Sequence, residues 1–260
     1  GLKPVNGSYT QSYVLAVNTF PGAMDVIING NKLETGRDFI INPNSKGAVG
    51  TFDVLYFKPK WAEDRTKVFE LAQKKGMKNT IVVFDLDGEN AAFNSLIAEI
   101  PKNPLKCAAY IILKDEKLTW SVGRNEYETP ILEVLKSAVP KKIKAVELNI
   151  ENKFIQNYKT QNVSALIPGK TDTTVVFSAH FDHLGRMGAA TYIPGASDNA
   201  SGTAMLFDLA KHYLENQSHY TIQFIWFSGE EAGLLGSFNY VEKPMADLDK
   251  IKFLLNLDLM

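Results

Sequence analysis

The second half of this chain contains three short apolar runs, and a segment of helical periodicity lies between the first two. The runs cover residues 173–179, 220–227 and 252–257 and are rich in β-branched and aromatic residues, which is typical of buried strands. Residues 201–214 lie between the first two runs and predict a helix, because apolar side chains recur every four residues. Strands joined through helices need crossover connections, so the pattern predicts an α/β fold with a largely parallel sheet.

The first part of the chain, up to about residue 145, carries a second α/β pattern. Strands are predicted over 79–84 and 107–113, and helices over 63–75 and 91–100. Thr129 followed by Pro130 is typical of a helix start and predicts a further helix to about residue 138.

The second part opens with two strand-like segments, residues 145–150 and 162–167. We expect these two segments to pair as a β-hairpin, with the chain turning again at Pro168 and Gly169.

Composition excludes several classes of protein. The 260 residues are 45% hydrophobic and carry a formal net charge of -1, which gives no reason to expect a nucleic-acid partner. Cys107 is the single cysteine, so the chain is not a disulfide scaffold. The apolar runs are far shorter than the roughly 20 residues that span a bilayer, so we expect no membrane-spanning segment.

Side chains that can bind a metal follow each of the three strands predicted in the second half. They are His180, Asp182, His183, Asp198, Glu230, Glu231 and Asp258. Because ligands of open α/β sheets bind at the carboxyl ends of the strands, we expect these side chains at one edge. A single aspartate there, such as Asp198, also fits a helix start. Several carboxylates at one edge repel each other unless a cation compensates them, so the pattern predicts a metal site.

Imidazole and carboxylate ligands favour Zn²⁺, without excluding Mn²⁺ or Co²⁺. Adjacent Glu230 and Glu231 are expected to point in different directions, so one can bind metal while the other acts as a general base. Asp182 is placed to orient the His180 imidazole through its other ring nitrogen. The combination predicts metal-assisted hydrolysis.

Four segments repeat a known order of motifs: Ser178–Gly185 (SAHFDHLG), Pro194–Gly202 (PGASDNASG), Ser228–Ser237 (SGEEAGLLGS) and Asn256–Met260 (NLDLM). Over residues 145–260 they resemble the di-zinc aminopeptidases, which include bacterial leucyl aminopeptidases and aminopeptidase Y. The resemblance implies a three-layer zinc-exopeptidase-like fold with helices on both faces of a mixed, mostly parallel sheet. It also implies a peptide substrate, from which the enzyme removes N-terminal residues.

The resemblance assigns roles to individual residues and implies two Zn²⁺ ions. His180 and Asp258 would bind one ion and Glu231 the other, and Asp198 would bridge the two. Glu230 would be the general base that takes a proton from the attacking water and returns it to the leaving amine. His183 receives no ligand role.

The family has one further ligand, a histidine far beyond the position of Asp258, and a helix whose end resembles Gly1–Pro4. His212 and His219 lie on or just after a helix directed away from the strand ends and do not replace that ligand. We therefore expect a domain truncated at both ends, an incomplete second zinc site, and weak or no activity. Related proteins are often exported, so we expect a periplasmic or extracellular location; no pattern predicts an oligomeric state.

Residues 24–143 lie where relatives insert a protease-associated domain, and Gly36–Phe39 with Gly47–Gly50 resemble the entry to such inserts. The predicted organisation is therefore a zinc-peptidase domain of residues 1–23 and 144–260 around an insert of residues 24–143. Such an insert would cover the active-site cleft and restrict substrate size.

Other interpretations start from other features. Residues 81–88 resemble the nucleophile loop of haloacid-dehalogenase-type phosphatases, with Asp85 as nucleophile and Asp87 as acid/base beside Mg²⁺. Glu89 departs from that motif, so a strand ending in an Asp-Gly turn is favoured. The chain could also be a peptide- or protein-binding module, or a degenerate peptidase homologue, although the retained Glu230 argues against degeneration. Glutaminyl cyclases are related but use a single zinc, and the paired glutamates fit hydrolysis better.

Overall fold

The computed structural model describes residues 1–86 and 90–259 and divides the chain into two compact units. The first unit comprises Gly1–Ala16, Gln156–Gly185 and Ile193–Met260, and the second comprises Val17–Ile155 and Arg186–Tyr192. No helix in the described part of the chain is both long and apolar enough to cross a membrane.

The strands, in chain order, are β1 (Lys3–Pro4), β2 (Thr10–Thr19), β3 (Met24–Ile28), β4 (Asn31–Lys32), β5 (Phe39–Ile41), β6 (Ala48–Phe57), β7 (Thr80–Asp85), β8 (Ala109–Lys114), β9 (Ile131–Leu135), β10 (Ala145–Ile150), β11 (Lys153–Ile167), β12 (Thr171–His180), β13 (Gly185–Met187), β14 (Thr191–Ile193), β15 (Tyr220–Phe227) and β16 (Ile251–Asn256). The α-helices are α1 (Arg65–Gln73), α2 (Ala91–Glu99), α3 (Ser201–Glu215) and α4 (Leu235–Glu242). Short 3₁₀ turns cover Pro59–Glu63, Met77–Asn79, Ile100–Lys102, Lys136–Ala138 and Leu248–Lys250, and a kinked turn covers Ala196–Ala200.

The first unit is built on a mixed sheet with the strand order β1-β11-β15-β12-β16, in which β2 also pairs with β11. Strands β15, β12 and β16 run parallel, whereas β11 and β1 are antiparallel to their neighbours. In the register, His180 lies opposite Phe227, and Ser178 lies opposite Asn256. The three parallel strands therefore end side by side, as the sequence predicts.

Alternating side chains of β12 and β15 bury two faces of this sheet. On one face, Phe177 and Phe224 pack against Leu206 of α3. On the other face, Val176 and Ile225 pack against Tyr240 of α4. Because the side-chain period of a strand is two, one sheet supports helices on both faces, and the predicted mixed α/β architecture with helices on both faces is confirmed.

The second unit has its own sheet, with the order β4-β3-β10-β6-β7-β8-β9-β5, in which β6 to β9 run parallel. Strand β10 pairs with both β3 and β6, and residues 144–155 lie in this unit. Residues 17–23 also lie in the second unit. The identity of residues 24–143 as a protease-associated-like insert stays a prediction.

Two local predictions are wrong. The segment after Pro130 is strand β9 rather than a helix, because Ile131, Leu132 and Val134 are buried between β8 and β5. The segments 145–150 and 162–167 do not form a hairpin, since β10 belongs to the second sheet and β11 pairs with β15. In both cases burial in a sheet outweighs the local turn and cap signals.

The phosphatase-like motif ends β7 in the second unit. Asp85 forms an ion pair with Lys136, whose Nζ lies 2.8 Å from Asp85 Oδ1 and 3.0 Å from an Asp115 oxygen. Asp87 and Glu89 lie outside the described residues.

Truncation of Leu206 tests the packing of α3 on the sheet. Leu206 is completely buried in the core, so Leu206→Ala should lower the free energy of unfolding by about 2–5 kcal/mol. Leu214→Ala, on the same helix but 47% exposed, should cost less than about 1 kcal/mol. Urea unfolding of the metal-free chain, followed by circular dichroism, measures both; equal losses would contradict the packing described above.

Candidate metal centre

The seven predicted metal-binding and supporting side chains all come from the carboxyl-terminal edge of the first unit's sheet. His180 is the last residue of β12, and Asp182 and His183 follow it in the next loop. Asp198 lies in the kinked turn before α3, where its backbone angles are not helical. Glu230 and Glu231 follow β15, and Asp258 follows β16. Strand ends and one helix start thus converge on a single site.

The His180 imidazole lies at the centre of this cluster, with a side chain that is only 2% exposed. Its Nδ1–H donates a hydrogen bond to the backbone carbonyl of Asp182 at 3.0 Å. Its Nε2 is buried and has no hydrogen-bond partner among the described residues. Because Nδ1 carries the hydrogen, the lone pair of the neutral imidazole is on Nε2.

Carboxylate oxygens of three residues lie close to this lone pair. Asp198 Oδ1 lies 3.1 Å from Nε2, Asp258 Oδ1 lies 3.4 Å away, and Glu230 Oε2 lies 3.9 Å away. A lone pair and anionic oxygens at these distances repel each other unless a proton or a cation lies between them.

The donor set fits a divalent metal ion. One ligand atom each from His180, Asp198 and Asp258 lie within 4.8 Å of one another. Imidazole nitrogen with two carboxylate oxygens, and no thiolate, is a set that Zn²⁺ accepts. These three residues would hold the ion, and the orphaned Nε2 is the observation in this structure that fits it.

Without a cation, a proton on Nε2 of His180 removes the same repulsion between the lone pair and the carboxylate oxygens. Burial lowers the pKa of His180, but the hydrogen bonds with Asp182 and the negative charge of Glu230 have the opposite and larger effect. Together they raise the pKa of His180 to about 9. The metal-free imidazole is therefore protonated at neutral pH. Zn²⁺ and H⁺ compete for one nitrogen.

Glu230 and Glu231 diverge from the turn that follows β15. The Glu230 carboxylate faces His180, whereas Glu231 Oε1 lies 2.7 Å from Nδ1 of His183. Burial raises the pKa of both carboxyl groups; the charge of Asp198 raises that of Glu231 further, and those of Asp182 and Asp258 raise that of Glu230. The two adjacent glutamates thus occupy different environments.

Asp182 supports the site differently from the predicted arrangement. Its carboxylate lies 3.7 Å from His180 Nδ1, and its backbone carbonyl, not its side chain, accepts the imidazole hydrogen. The two carboxylate oxygens accept the backbone amides of Glu230 and Glu231, at 3.2 and 3.3 Å. Asp182 therefore connects the His180 loop to the glutamate turn.

His183, which received no ligand role, belongs to a second group of possible ligands. One ligand atom each from His183, Asp198 and Glu231 lie within 4.8 Å of one another. Asp198 is common to both groups of ligands.

Asn199 is a supporting residue that the sequence reasoning missed. It is 2% exposed, and its Nδ2 donates to the carbonyl of Leu257 at 2.9 Å. Its Oδ1 accepts the amide of Gly202 at 3.0 Å. Asn199 directly follows Asp198, and Leu257 directly precedes Asp258. The hydrogen bond between Asn199 and Leu257 thus links the two segments that carry these aspartates. A buried amide beside an acidic motif residue is the signal that could have identified it.

A second missed group holds the glutamate turn from the other side. Tyr13 donates to the carbonyl of Ser228 at 2.7 Å, and buried Asn162 accepts the Ser228 amide at 3.1 Å. Gly229 has φ of 65°, and a Cβ there would lie 2.7 Å from the Tyr13 hydroxyl. The turn therefore needs glycine both for its backbone conformation and for the close approach of Tyr13.

Metal binding should release protons. At pH 7 the metal-free His180 is protonated, because its pKa is raised to about 9, so binding of Zn²⁺ should release about one proton from this imidazole. Zinc affinity should accordingly rise with pH up to about pH 9. Calorimetric titrations at pH 7 in buffers of different ionisation enthalpy measure the release, and absence of proton release would contradict the assignment of His180 as a ligand.

Removal of the Asn199 amide should weaken the site without touching a ligand. Asn199→Ala leaves the Leu257 carbonyl and Gly202 amide unpaired, which should lower the free energy of unfolding by about 1–3 kcal/mol. Displacement of Asp198 and Asp258 should lower zinc affinity about 10- to 100-fold. The exposed Asn216→Ala is the matched control for both effects. Competition with a zinc-binding dye measures affinity. Equal zinc affinities and equal stabilities of the two variants would refute the role of Asn199.

Comparison with known proteins gives a consistent result for the first unit. Residues 162–260 match the sequence profile of Peptidase family M28. A probable leucine aminopeptidase from Trichophyton verrucosum is 39% identical over 114 residues, which cover 41% of this chain and 30% of that protein. A probable leucine aminopeptidase from Arthroderma otae is 37% identical over 114 residues, which cover 41% and 31%. The chain thus spans about 30% of the length of these curated relatives.

Solved structures share the fold. A zinc aminopeptidase from Bacillus subtilis superposes with a TM-score of 0.61 at 20% identity, over 96% of this chain and 59% of that one. An aminopeptidase from Aneurinibacillus sp. strain AM-1 gives a TM-score of 0.59 at 18% identity, over 96% and 60%. The profile match covers residues 162–260, which contain all four sequence motifs, so this part of the chain is similar to Peptidase family M28, and the two aminopeptidase structures share its fold.

Proposed function

We propose that this protein is a zinc-dependent aminopeptidase that removes N-terminal residues from peptides. The observation that carries the proposal is the buried, unpartnered Nε2 of His180, which faces Asp198 and Asp258, with the Glu230 carboxylate beside it. A metal site with a free carboxylate at its open side suits hydrolysis. Relatives named leucine aminopeptidases support the reaction class.

His180, Asp198 and Asp258 would hold one zinc ion, and Glu231 is proposed as a ligand of a second. Bound zinc supplies a Lewis acid that lowers the pKa of water and polarises a peptide carbonyl. The number of ions bound per chain is part of this proposal.

Glu230 is the proton carrier in the proposed mechanism. Its carboxylate lies 3.9 Å from His180 Nε2 and is not needed for the group formed by His180, Asp198 and Asp258. Burial raises the pKa of Glu230, which makes its carboxylate a stronger base. Glu230 takes a proton from the attacking water and gives it to the leaving amine. The Asp182 carboxylate holds Glu230 in place by accepting a hydrogen bond from the Glu230 backbone amide.

The surroundings of Glu230 favour an apolar substrate side chain. A cavity of about 340 Å³ borders Glu230 and Asp258, and its walls include Phe227, Leu234 and Leu254. Apolar walls with few polar groups select apolar side chains by burial rather than by hydrogen bonding. We propose a preference for apolar N-terminal residues.

Glu230→Gln tests the mechanism. The change keeps the size of the side chain but removes the proton acceptor, so the rate of hydrolysis should fall about 10²- to 10⁴-fold while zinc content is unchanged. Leucyl p-nitroanilide is the substrate, and Glu242→Gln, at an exposed position at the end of α4, is the matched control.

Two further substrates complete the assay. N-acetyl-leucyl p-nitroanilide lacks a free amine and should not be cleaved, and glutamyl p-nitroanilide should be a poor substrate. The expectation of an incomplete second site and weak activity stays a prediction, which the rate of the unmodified chain tests. Bound zinc without any Glu230-dependent turnover would contradict the proposal and favour a peptide-binding module.

A further inference from the structure

We propose that a groove beside the turn of Glu230 and Glu231 binds the part of a peptide that follows the cleaved bond. Lys159, in this groove, pairs with the C-terminal carboxylate of the peptide. The substrate class is therefore short peptides with a free carboxyl terminus. The inference rests on the proposed function, because it takes the metal centre as the place where the peptide bond is cleaved.

Strands β2 and β11 form a wall next to this turn. Strand β11 runs antiparallel to β15, and its residues before 162 lie beyond the last residue of β15. Strand β2 pairs with β11. The Thr160 hydroxyl of β11 donates to that of Ser228 at 3.1 Å, and the Tyr13 hydroxyl of β2 lies 2.9 Å from the same oxygen. Both strands are thus fixed to the segment that leads into Glu230.

The groove is a cavity of about 640 Å³ on this wall. It is lined by residues 12–14 of β2, residues 159–161 of β11, and Phe181. Phe181 directly follows His180 of the metal centre, so the groove begins next to the proposed site of cleavage. Phe181 and Val14 are 45% and 58% exposed, which leaves apolar surface that a bound peptide can bury.

The groove and the cavity beside Glu230 lie at different strands of the sheet. Residues of β12, β15, β16 and α4 line the cavity of about 340 Å³, in which we place the N-terminal side chain. Residues of β2 and β11 line the groove. A peptide whose first side chain fills that cavity therefore has a separate surface for the residues after the cleaved bond.

The charges at the two ends of the groove are opposite. Among the described residues that line the groove, Lys159 is the one charged side chain, and it is exposed. Residues 10–16 of β2 and 156–167 of β11 contain no acidic residue, so these strands offer the Lys159 ammonium no carboxylate partner. The metal centre, at the other end, is rich in carboxylates. A short peptide has an ammonium at its N-terminus and a carboxylate at its C-terminus, which is the complementary arrangement.

The spacing of the strands sets the length of peptide that fits. Strand β15 lies between β11 and β12, so Lys159 and His180 are separated by two strand spacings, roughly 10 Å. An extended peptide covers about 3.3–3.6 Å per residue, so about three residues span this separation. Tripeptides and tetrapeptides should therefore place one end at the metal centre and the carboxylate at Lys159.

A pair of matched substrates tests the role of Lys159. Leu-Leu-Gly and Leu-Leu-Gly-NH₂ differ in the terminal carboxylate, and kcat/KM of the zinc-loaded chain should be about 2- to 5-fold higher for the acid. The ratio of the two values should fall to about one in Lys159→Gln and be kept in Lys159→Arg. Lys170→Gln, at an exposed position before β12, is the matched control. Equal values for acid and amide in the unmodified chain would overturn the inference but leave the proposed function standing.

Binding without turnover gives the second readout. The metal-free, ¹⁵N-labelled chain is titrated with Leu-Leu-Gly, and the backbone amide signals are followed by NMR. Signals of residues 12–14 and 159–161 should shift, and the affinity should be lower for the amide or for Lys159→Gln. Absence of these shifts, or shifts that do not depend on Lys159, would overturn the inference. Shifts that depend on Lys159 in a chain that hydrolyses no peptide would overturn the proposed function while supporting the groove as a peptide site.

Discussion

The buried Nε2 of His180 sets the electrostatic requirement around which the first unit is organised. Its Nδ1–H is committed to the Asp182 carbonyl, so the opposite nitrogen presents a lone pair to Asp198 and Asp258. In water such groups would separate, but three strand ends and a helix start hold them together. A positive charge must therefore enter the cluster, either as a metal ion or as a proton on His180, whose pKa the neighbouring Asp182 and Glu230 raise to about 9.

Hydrogen bonds of Asp182 and Asn199 maintain this unfavourable charge arrangement. The Asp182 carboxylate accepts the amides of Glu230 and Glu231, whose side chains lie next to His180 and His183 respectively. Asn199 links the Asp198 turn to the end of β16 by bonding the Leu257 carbonyl. Each bond contributes only about 1 kcal/mol, but each is buried or partly buried, so its loss would leave an unpaired polar group beside the cluster. The ligands are thus positioned by the sheet and its loops before any metal binds.

Much of the first unit could be predicted from sequence, because its strands are continuous apolar runs whose polar ends carry the ligands. Both faces of β12 and β15 are buried, so period and position identify them without knowledge of the partners. Strand β16 differs from the prediction of a buried strand, because Phe253, Leu254 and Leu255 are 57%, 48% and 40% exposed. The failures arise where tertiary contacts decide. The Thr129-Pro130 signal favours a helix, yet burial of Leu132 between β8 and β5 makes a strand. Likewise, the contact of His183 with Glu231 joins residues 48 positions apart, and no local pattern reports it.

Because Asp198 belongs to both ligand groups, a cation bound by one group changes the cation affinity of the other. A cation bound by His180 and Asp258 withdraws negative charge from Asp198, which lowers the attraction that the second group exerts on another cation. The same cation displaces the His180 proton, which removes a positive charge from the cluster and partly restores that attraction. His183 Nδ1 lies 2.7 Å from Glu231 Oε1, so the second group also has a direct contact between its own members. Nε2 of His180 has no hydrogen-bond partner among the described residues, whereas Nδ1 of His183 already contacts Glu231, so a cation that displaces the His180 proton should bind at His180 first.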